Sequence, residues 1–142
     1  MKTTLLAALI AALAAPAGAH AAPAGSSRLT LTFETGAATG AVLVALFDSK
    51  AAYDGGAPVR QARVDVAKGE RIAIFANLAS GDYAMKAFHD LDGDGRMTTN
   101  PFGRPIEPFA FSNNARGNMG PAAWDRARLK VAADVSQIVE IR

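Results

Sequence analysis

The densest group of candidate ligands in the sequence is a run of aspartates at alternate positions. Residues 90–95 read D-L-D-G-D-G, which matches the first half of a calcium-binding loop. In such a loop alternate side chains point to a common centre, and the glycine permits the sharp bend that brings later ligands round. The predicted calcium ligands are the carboxylates of Asp90, Asp92 and Asp94, the carbonyl of Arg96, and the hydroxyl of Thr98, directly or through water.

The match to a calcium loop fails at its twelfth position, where Pro101 stands in place of a bidentate acid. Calcium takes six to eight oxygen ligands, so the remaining set predicts a weak site of roughly millimolar affinity. Glu107 or Asn100 could supply the missing oxygen. Aspartate and glycine also build turns, so a purely structural turn is the alternative interpretation. Magnesium is disfavoured, because proteins usually hold it through only one or two carboxylates.

Residues 100–120 form a long stretch without helical or strand periodicity. Loops of this length in a compact domain are usually functional or packed down by their own side chains. One interpretation is therefore an ordered cover over one face or end of the fold. The other is a surface centred on residues 109–117 that contacts an unknown protein or glycan. Its candidate contacts are Arg104, Glu107, Phe111, Asn113, Asn114 and Arg116.

Few residues in the sequence are suited to catalysis. The chain has no cysteine, and its two histidines are His20 and His89. His89 beside Asp90 could serve as a general base, which leaves a secreted hydrolase as the weaker alternative. None of the familiar nucleophile, zinc or phosphate-binding motifs is present. We therefore predict a non-enzymatic protein.

The first residues predict the destination of the chain. Lys2 precedes an apolar run over residues 5–13, and small residues lead to a cleavage site after Ala21. This run is shorter than the roughly 20 residues that span a bilayer, so residues 1–21 indicate a signal peptide with no membrane span after cleavage. We expect a periplasmic or secreted protein. The net charge is only +2 and no basic cluster is visible, which argues against nucleic-acid binding.

The remainder of the chain predicts one all-β domain over residues 28–142, after a flexible leader over residues 22–27. Residues 28–34 alternate apolar and polar side chains, which is typical of a half-buried strand. Residues 59–67 and 71–76 are predicted to form a hairpin with Ile72 and Ile74 in the core. Residues 48–58 are predicted to be a loop, and residues 121–127 a helical turn anchored by Trp124. The other predicted strands cover residues 41–48, 83–89, 128–131 and 136–141.

About seven strands with frequent turns predict an antiparallel β-sandwich, as in immunoglobulin-type domains. One long loop is expected between the fifth and sixth of these strands. The domain must be held together by burial alone or with the help of a metal or partner, because it has no cysteine for disulfides.

A long motif resembles the family known as domain of unknown function 2141. Its pattern is carried by residues 77–83 (N-L-x-x-G-x-Y) and by Phe88, His89, Asp90, Asn100, Gly103, Pro105, Glu107, Pro108, Phe109, Phe111 and residues 112–117. The resemblance implies a small exported bacterial protein with a prealbumin-like sandwich. It implies no established activity and therefore no catalytic residues. Members often carry asparagine where this chain has Asp92 and Asp94, which argues against calcium as a role of the whole family.

Overall fold

A computed structural model describes residues 25–142, so the predicted signal peptide over residues 1–21 lies outside the described part. Eight strands form two sheets with little helix. The elements are β1 (Ser27–Thr35), β2 (Ala41–Phe47), α1 (Lys50–Gly55), β3 (Arg60–Asp65), β4 (Ile72–Leu78), β5 (Gly81–Asp90), β6 (Phe109–Phe111), α2 (Trp124–Ala127), β7 (Leu129–Val131) and β8 (Val135–Ile141). No helix within residues 25–142 is long and apolar enough to cross a membrane.

The two sheets pack face to face as a β-sandwich, which confirms the predicted fold class. One sheet has the strand order β4-β1-β8, and the other has the order β3-β2-β5-β6, with β7 also paired to β5. The core lies between them because β1 and β2 each turn every second side chain inward. Leu29, Leu31 and Phe33 of β1 are fully or almost fully buried there, beside Val42 and Leu46 of β2.

The predicted hairpin over residues 59–76 is wrong. β3 and β4 belong to different sheets, and a 3₁₀ turn, Val66–Lys68, carries the chain from one sheet to the other. The pairing is also not antiparallel throughout, because β8 runs parallel to β1. Sequence spacing fits a hairpin and a crossover between layers equally well. Only the packing of the two sheets distinguishes them.

The predicted core phase of β4 is wrong as well. Ile72 and Ile74 are 54% and 57% exposed, whereas Ala73 and Phe75 face the core. Because side chains alternate with a period of two, choosing the wrong phase exchanges the whole inner and outer set. The observed phase buries the Phe75 ring, which is larger than the side chains of Ile72 and Ile74. A register shift against β1 then allows Leu78 to be buried on the same side.

Three smaller differences concern the segments between the strands. The predicted loop over residues 48–58 contains α1, whose first turn is capped by Ser49 accepting a hydrogen bond from the Ala52 N–H. The long loop before β7 contains the additional strand β6, which brings the total to eight. β1 begins at Ser27, so the last residue of the predicted leader belongs to the sheet. Segments as short as these carry too little periodicity to be recognised from sequence.

A second apolar cluster covers the outer face of the five-stranded sheet. Tyr53 of α1 lies edge-on to Phe47 and Trp124, with ring centroids 5.6 and 5.7 Å apart, and its hydroxyl donates to the Ala122 carbonyl over 2.8 Å. The Lys86 ammonium lies 4.2 Å from the centre of the Tyr53 ring. Trp124 is buried at the start of α2, as the sequence predicts. This cluster fixes both short helices to the sheet.

Burial of Tyr53 makes the stability of the fold sensitive to alkaline pH. Burial raises the pKa of Tyr53 to about 12, above its usual value of 10.0. Above pH 10 the unfolded chain releases this proton while the folded chain keeps it, so stability falls as pH rises. We expect a loss of about 1 kcal/mol between pH 10 and pH 11 from this group. Urea unfolding at each pH measures it.

The matched variant is Tyr53→Phe, which lacks the titrating phenol. It starts from a lower stability because the Ala122 carbonyl loses its donor. Its further loss above pH 10 should be smaller than that of the wild type. Burial also raises the pKa of Tyr83, which adds to the loss of stability at alkaline pH. Equal losses in both proteins would contradict the assignment to Tyr53.

Candidate metal site

The predicted aspartate run begins at the last residue of β5, and this position fixes Asp90. Asp90 is fully buried, and its two carboxylate oxygens accept hydrogen bonds from the N–H groups of Gly93, at 2.8 Å, and Gly95, at 3.0 Å. Both glycines have positive φ angles, which the turn requires and which glycine adopts without steric cost. Asp90 therefore organises the loop that follows it.

Glu107 lies against the same loop although it is seventeen positions further along the chain. It is only 6% exposed. One carboxylate oxygen accepts from the Leu91 N–H over 2.9 Å, and the other accepts from the Thr98 N–H over 3.0 Å. From sequence, either Glu107 or Asn100 could supply the oxygen ligand that the calcium pattern lacks at its twelfth position. The structure brings Glu107 to the aspartates.

A small hairpin explains how Glu107 returns to the loop. Thr99 and Pro105 form an isolated bridge, and the Ile106 N–H donates to the Thr98 carbonyl over 3.0 Å. The side-chain oxygen of Asn100 accepts from the N–H groups of Phe102 and Arg104, both at 3.0 Å. The side-chain oxygen of Asn100 therefore stabilises the turn of this hairpin.

Three carboxylates converge as a result. Asp90, Asp92 and Glu107 each offer an oxygen, and these three atoms all lie within 4.8 Å of one another. Asp94 is outside this group, and its carboxylate accepts from the Arg96 N–H over 2.7 Å. The Thr98 hydroxyl lies beside the group and donates to Asp92 over 3.0 Å. We call Asp90, Asp92 and Glu107 the acidic cluster.

In the part of the chain that the structure describes, no basic side chain neutralises the acidic cluster. Within residues 25–142, no lysine, arginine or histidine nitrogen lies within 4.0 Å of these three carboxylates. Backbone donors take that role instead. The Asp94 N–H, followed by the Thr98 hydroxyl, lowers the pKa of the Asp92 carboxyl below its usual value. These donors favour the charged form of Asp92, and no basic side chain of residues 25–142 forms a salt bridge with the cluster.

The predicted contact surface is divided between interior and exterior. Phe111 is buried in the outer aromatic cluster, and Glu107 belongs to the acidic cluster. Arg104 and Arg116 are exposed. Asn113 and Asn114 are exposed residues whose side chains are nevertheless directed to the backbone of neighbouring elements, as the following contacts show.

The two asparagines connect β6 to the edge of β8 and to α2. The Asn114 amide donates to the Ile138 carbonyl over 3.0 Å, and its oxygen accepts from the Glu140 N–H over 2.9 Å. The Asn113 amide donates to the carbonyls of Arg126, at 3.1 Å, and Arg128, at 2.8 Å. Both residues have positive φ angles of 60° and 49°, which asparagine tolerates better than most residues.

Replacing Asn114 with alanine should therefore lower the stability of the fold. Two hydrogen bonds to β8 are lost, and alanine is strained at a positive φ angle. We expect a loss of about 2 kcal/mol in the free energy of unfolding, measured in urea. Asn118→Ala is the control, since Asn118 is exposed and makes no side-chain hydrogen bond within residues 25–142. An equal effect of both variants would contradict a scaffolding role for Asn114.

His89, the candidate general base, lies inside the sandwich. It is fully buried, and its Nε2 lies 2.6 Å from the Thr39 carbonyl oxygen. A carbonyl oxygen only accepts, so Nε2 carries a proton and donates it to this bond. Nδ1 has no hydrogen-bond partner within the described region. The side chain connects the end of β5 to the segment before β2 and has no contact with solvent.

Comparison with known proteins decides the family. The family model described as "Uncharacterized protein conserved in bacteria (DUF2141)" matches residues 34–139, well over half of the chain. The chain belongs to the DUF2141 family. The match runs from β1 to β8 and includes the acidic cluster and both asparagines, which confirms the family predicted from the motif. No curated protein and no solved structure matches this DUF2141 chain.

Proposed function

We propose that this DUF2141 protein is an exported, non-enzymatic binding or accessory module whose loop is stabilised by calcium. The observation that carries the proposal is the acidic cluster. Three carboxylate oxygens lie within 4.8 Å of one another, two of their residues are buried, and no basic nitrogen of residues 25–142 lies within 4.0 Å of them. Buried charges in proteins are usually paired or bound to a metal.

The ligand chemistry favours calcium over other cations. Every donor in the acidic cluster is an oxygen, which suits hard cations and excludes the nitrogen and sulfur sets typical of zinc. Calcium accepts irregular geometry and several carboxylates, whereas magnesium requires near-ideal octahedral geometry. Each oxygen of Asp90 and Glu107 already accepts one backbone N–H. Binding is therefore expected to be weak, in the roughly millimolar class of extracellular modules.

The environment of His89 supports a function without catalysis. A general base must reach a proton on the substrate, and His89 is fully buried with its Nε2 bonded to Thr39. Removing it would break a bond between β5 and the segment before β2. The weaker hydrolase alternative, which relies on His89 as its base, gains no support from this position.

A second function, contact with a protein or glycan, is favoured by the hairpin above the acidic cluster. Phe102 at its tip is 89% exposed, and Arg104 and Arg116 are exposed as well. Exposed aromatic and arginine side chains are frequent in binding interfaces. Calcium beneath the hairpin would hold this surface in position, so the two functions are compatible.

Isothermal titration calorimetry tests the calcium site. We expect calcium to bind the purified protein at one site and magnesium to bind more weakly. Glu107→Gln should abolish the calcium heat, whereas Asp125→Asn, at an exposed carboxylate away from the cluster, should leave it unchanged. Binding that survives Glu107→Gln would place the ion elsewhere. Fractionation of a bacterial host tests export separately, with the protein expected outside the cytoplasm.

A further inference from the structure

The strand β4 is an edge of the three-stranded sheet. The Phe33 N–H donates to the Arg71 carbonyl over 2.7 Å, and Ala73 is the register partner of Leu31. Hydrogen-bonded and non-bonded pairs alternate along an antiparallel ladder. Arg71 and Ala73 therefore bond to β1, while Ile72 and Ile74 direct their N–H and C=O groups away from it. These backbone groups form a free edge.

The other edge strands of the sandwich have features that prevent them from pairing with a further strand. At β8, Asn114 occupies the Ile138 carbonyl and the Glu140 N–H, and the Phe109 N–H donates to the Arg142 carbonyl over 2.9 Å. The edge strand β3 contains Arg60, Arg63 and Asp65, and β6 and β7 have only three residues each. Charged side chains and short strands both discourage edge-to-edge association.

These protective features are missing from the part of β4 that pairs in regular register with β1. Residues 72–75 contain no charge and no proline, and the register shift comes only after them. Their outward side chains, Ile72 and Ile74, are more than half exposed. A flat, apolar and uncovered edge is a template for another strand.

We propose that β4 pairs with β4 of a second copy of this chain, antiparallel about a two-fold axis at Ala73. Each copy then places Ile72 opposite Ile74 of the other copy, so that both residues exchange backbone hydrogen bonds across the interface. The same register sets the exposed side chains of Ile72 and Ile74 against each other on the outer face. Cross-strand apolar pairs of this kind stabilise antiparallel sheets.

The sequence of the edge favours a second copy over an unrelated peptide. Ile72-Ala73-Ile74 reads the same in both directions. A second β4 therefore places an exposed isoleucine opposite each exposed isoleucine and meets the uncharged edge with an equally uncharged one.

Sedimentation velocity over a range of protein concentrations tests the pairing. We expect the wild type to be a reversible dimer at millimolar concentration, in calcium and in EDTA alike. Ile74→Lys should weaken dimerisation by more than about tenfold. Ile74→Pro should do the same without loss of folding, because the N–H it removes points away from β1. Ile138→Lys is the matched control, since Ile138 is 61% exposed on the outer face of β8, the opposite edge strand of the same sheet.

Each outcome of this experiment decides the matter. A dimer lost in both Ile74 variants and retained in Ile138→Lys supports pairing through the β4 edge. A dimer lost in Ile74→Lys and Ile138→Lys alike would mean that the sheets associate through their outer faces, which overturns the proposal. A wild type that stays monomeric at millimolar concentration overturns it too. Circular dichroism must show that each variant is folded before its sedimentation is interpreted.

Discussion

Replacing Asp90 with alanine is expected to lower the free energy of unfolding by about 3 kcal/mol, even without metal. The fully buried carboxylate accepts hydrogen bonds from Gly93 and Gly95. Hydrogen bonds to a charged group contribute about 1.5–3 kcal/mol each, and they are not fully additive. Without these two hydrogen bonds the loop after Asp90 is no longer held in place, and Glu107 becomes more exposed to solvent. The substitution should also remove any response to calcium.

Urea unfolding followed by the fluorescence of Trp124, the single tryptophan, measures this effect. Asp94→Ala is the matched control in the same loop, since Asp94 is exposed and, among residues 25–142, accepts only the Arg96 N–H. Its cost should stay below about 1 kcal/mol. Similar losses in the two variants would show that Asp90 has no special role in the loop.

The second large effect is expected for Ser112→Ala. Ser112 is fully buried, and its hydroxyl accepts from the Met85 N–H over 2.9 Å and donates to the Ala127 carbonyl. Alanine leaves both buried backbone groups without a partner. Each unsatisfied group costs about 1–3 kcal/mol, so the total loss is expected to be about 2–5 kcal/mol.

The same urea titration tests Ser112 against an exposed serine. Ser136→Ala is the control, because Ser136 lies on the outer face of β8 and makes no side-chain hydrogen bond within residues 25–142. It should change stability by less than about 0.5 kcal/mol. A loss below about 1 kcal/mol in Ser112→Ala would mean that water or a local shift satisfies the two backbone groups.

The all-β class followed from sequence because strand periodicity is a local property. β1 alternates Leu29, Leu31 and Phe33 with polar residues, and this pattern has only one plausible phase. In β4 both phases are apolar, since Ile72 and Ile74 compete with Ala73 and Phe75. The choice depends on which set faces the second sheet, and that is decided by tertiary packing.

The acidic cluster was only partly predictable for a related reason. The spacing of Asp90 and Asp92 in a tight loop is visible in sequence, but the third carboxylate comes from Glu107. Its position depends on the hairpin that the Asn100 side chain stabilises. Asp94 fits the sequence pattern equally well, yet it turns to the Arg96 N–H. Sequence therefore located the loop without fixing which of its acids converge.

The roles of Asn113 and Asn114 were beyond a reading of the sequence alone. Exposed asparagines after an aromatic strand suit a binding surface as well as a turn. Their partners lie on α2, at Arg128 directly after it and on β8, at least thirteen residues further along the chain. Only the packing of β6 against β8 in the folded chain shows that the Asn114 side chain covers the edge of a sheet.

The most direct test of the calcium proposal is a thermal melt in excess EDTA and in calcium well above the dissociation constant. A ligand that binds only the folded state stabilises it by mass action, by about 2.7 kcal/mol at one hundred times the dissociation constant. At a calcium concentration about ten times the dissociation constant, the melting temperature should rise by about 5 °C. Asp92→Asn, which leaves the bonds of Asp90 and Glu107 intact, should reduce the rise sharply. Identical melts in EDTA and calcium would contradict the calcium site and leave the acidic cluster as a structural turn.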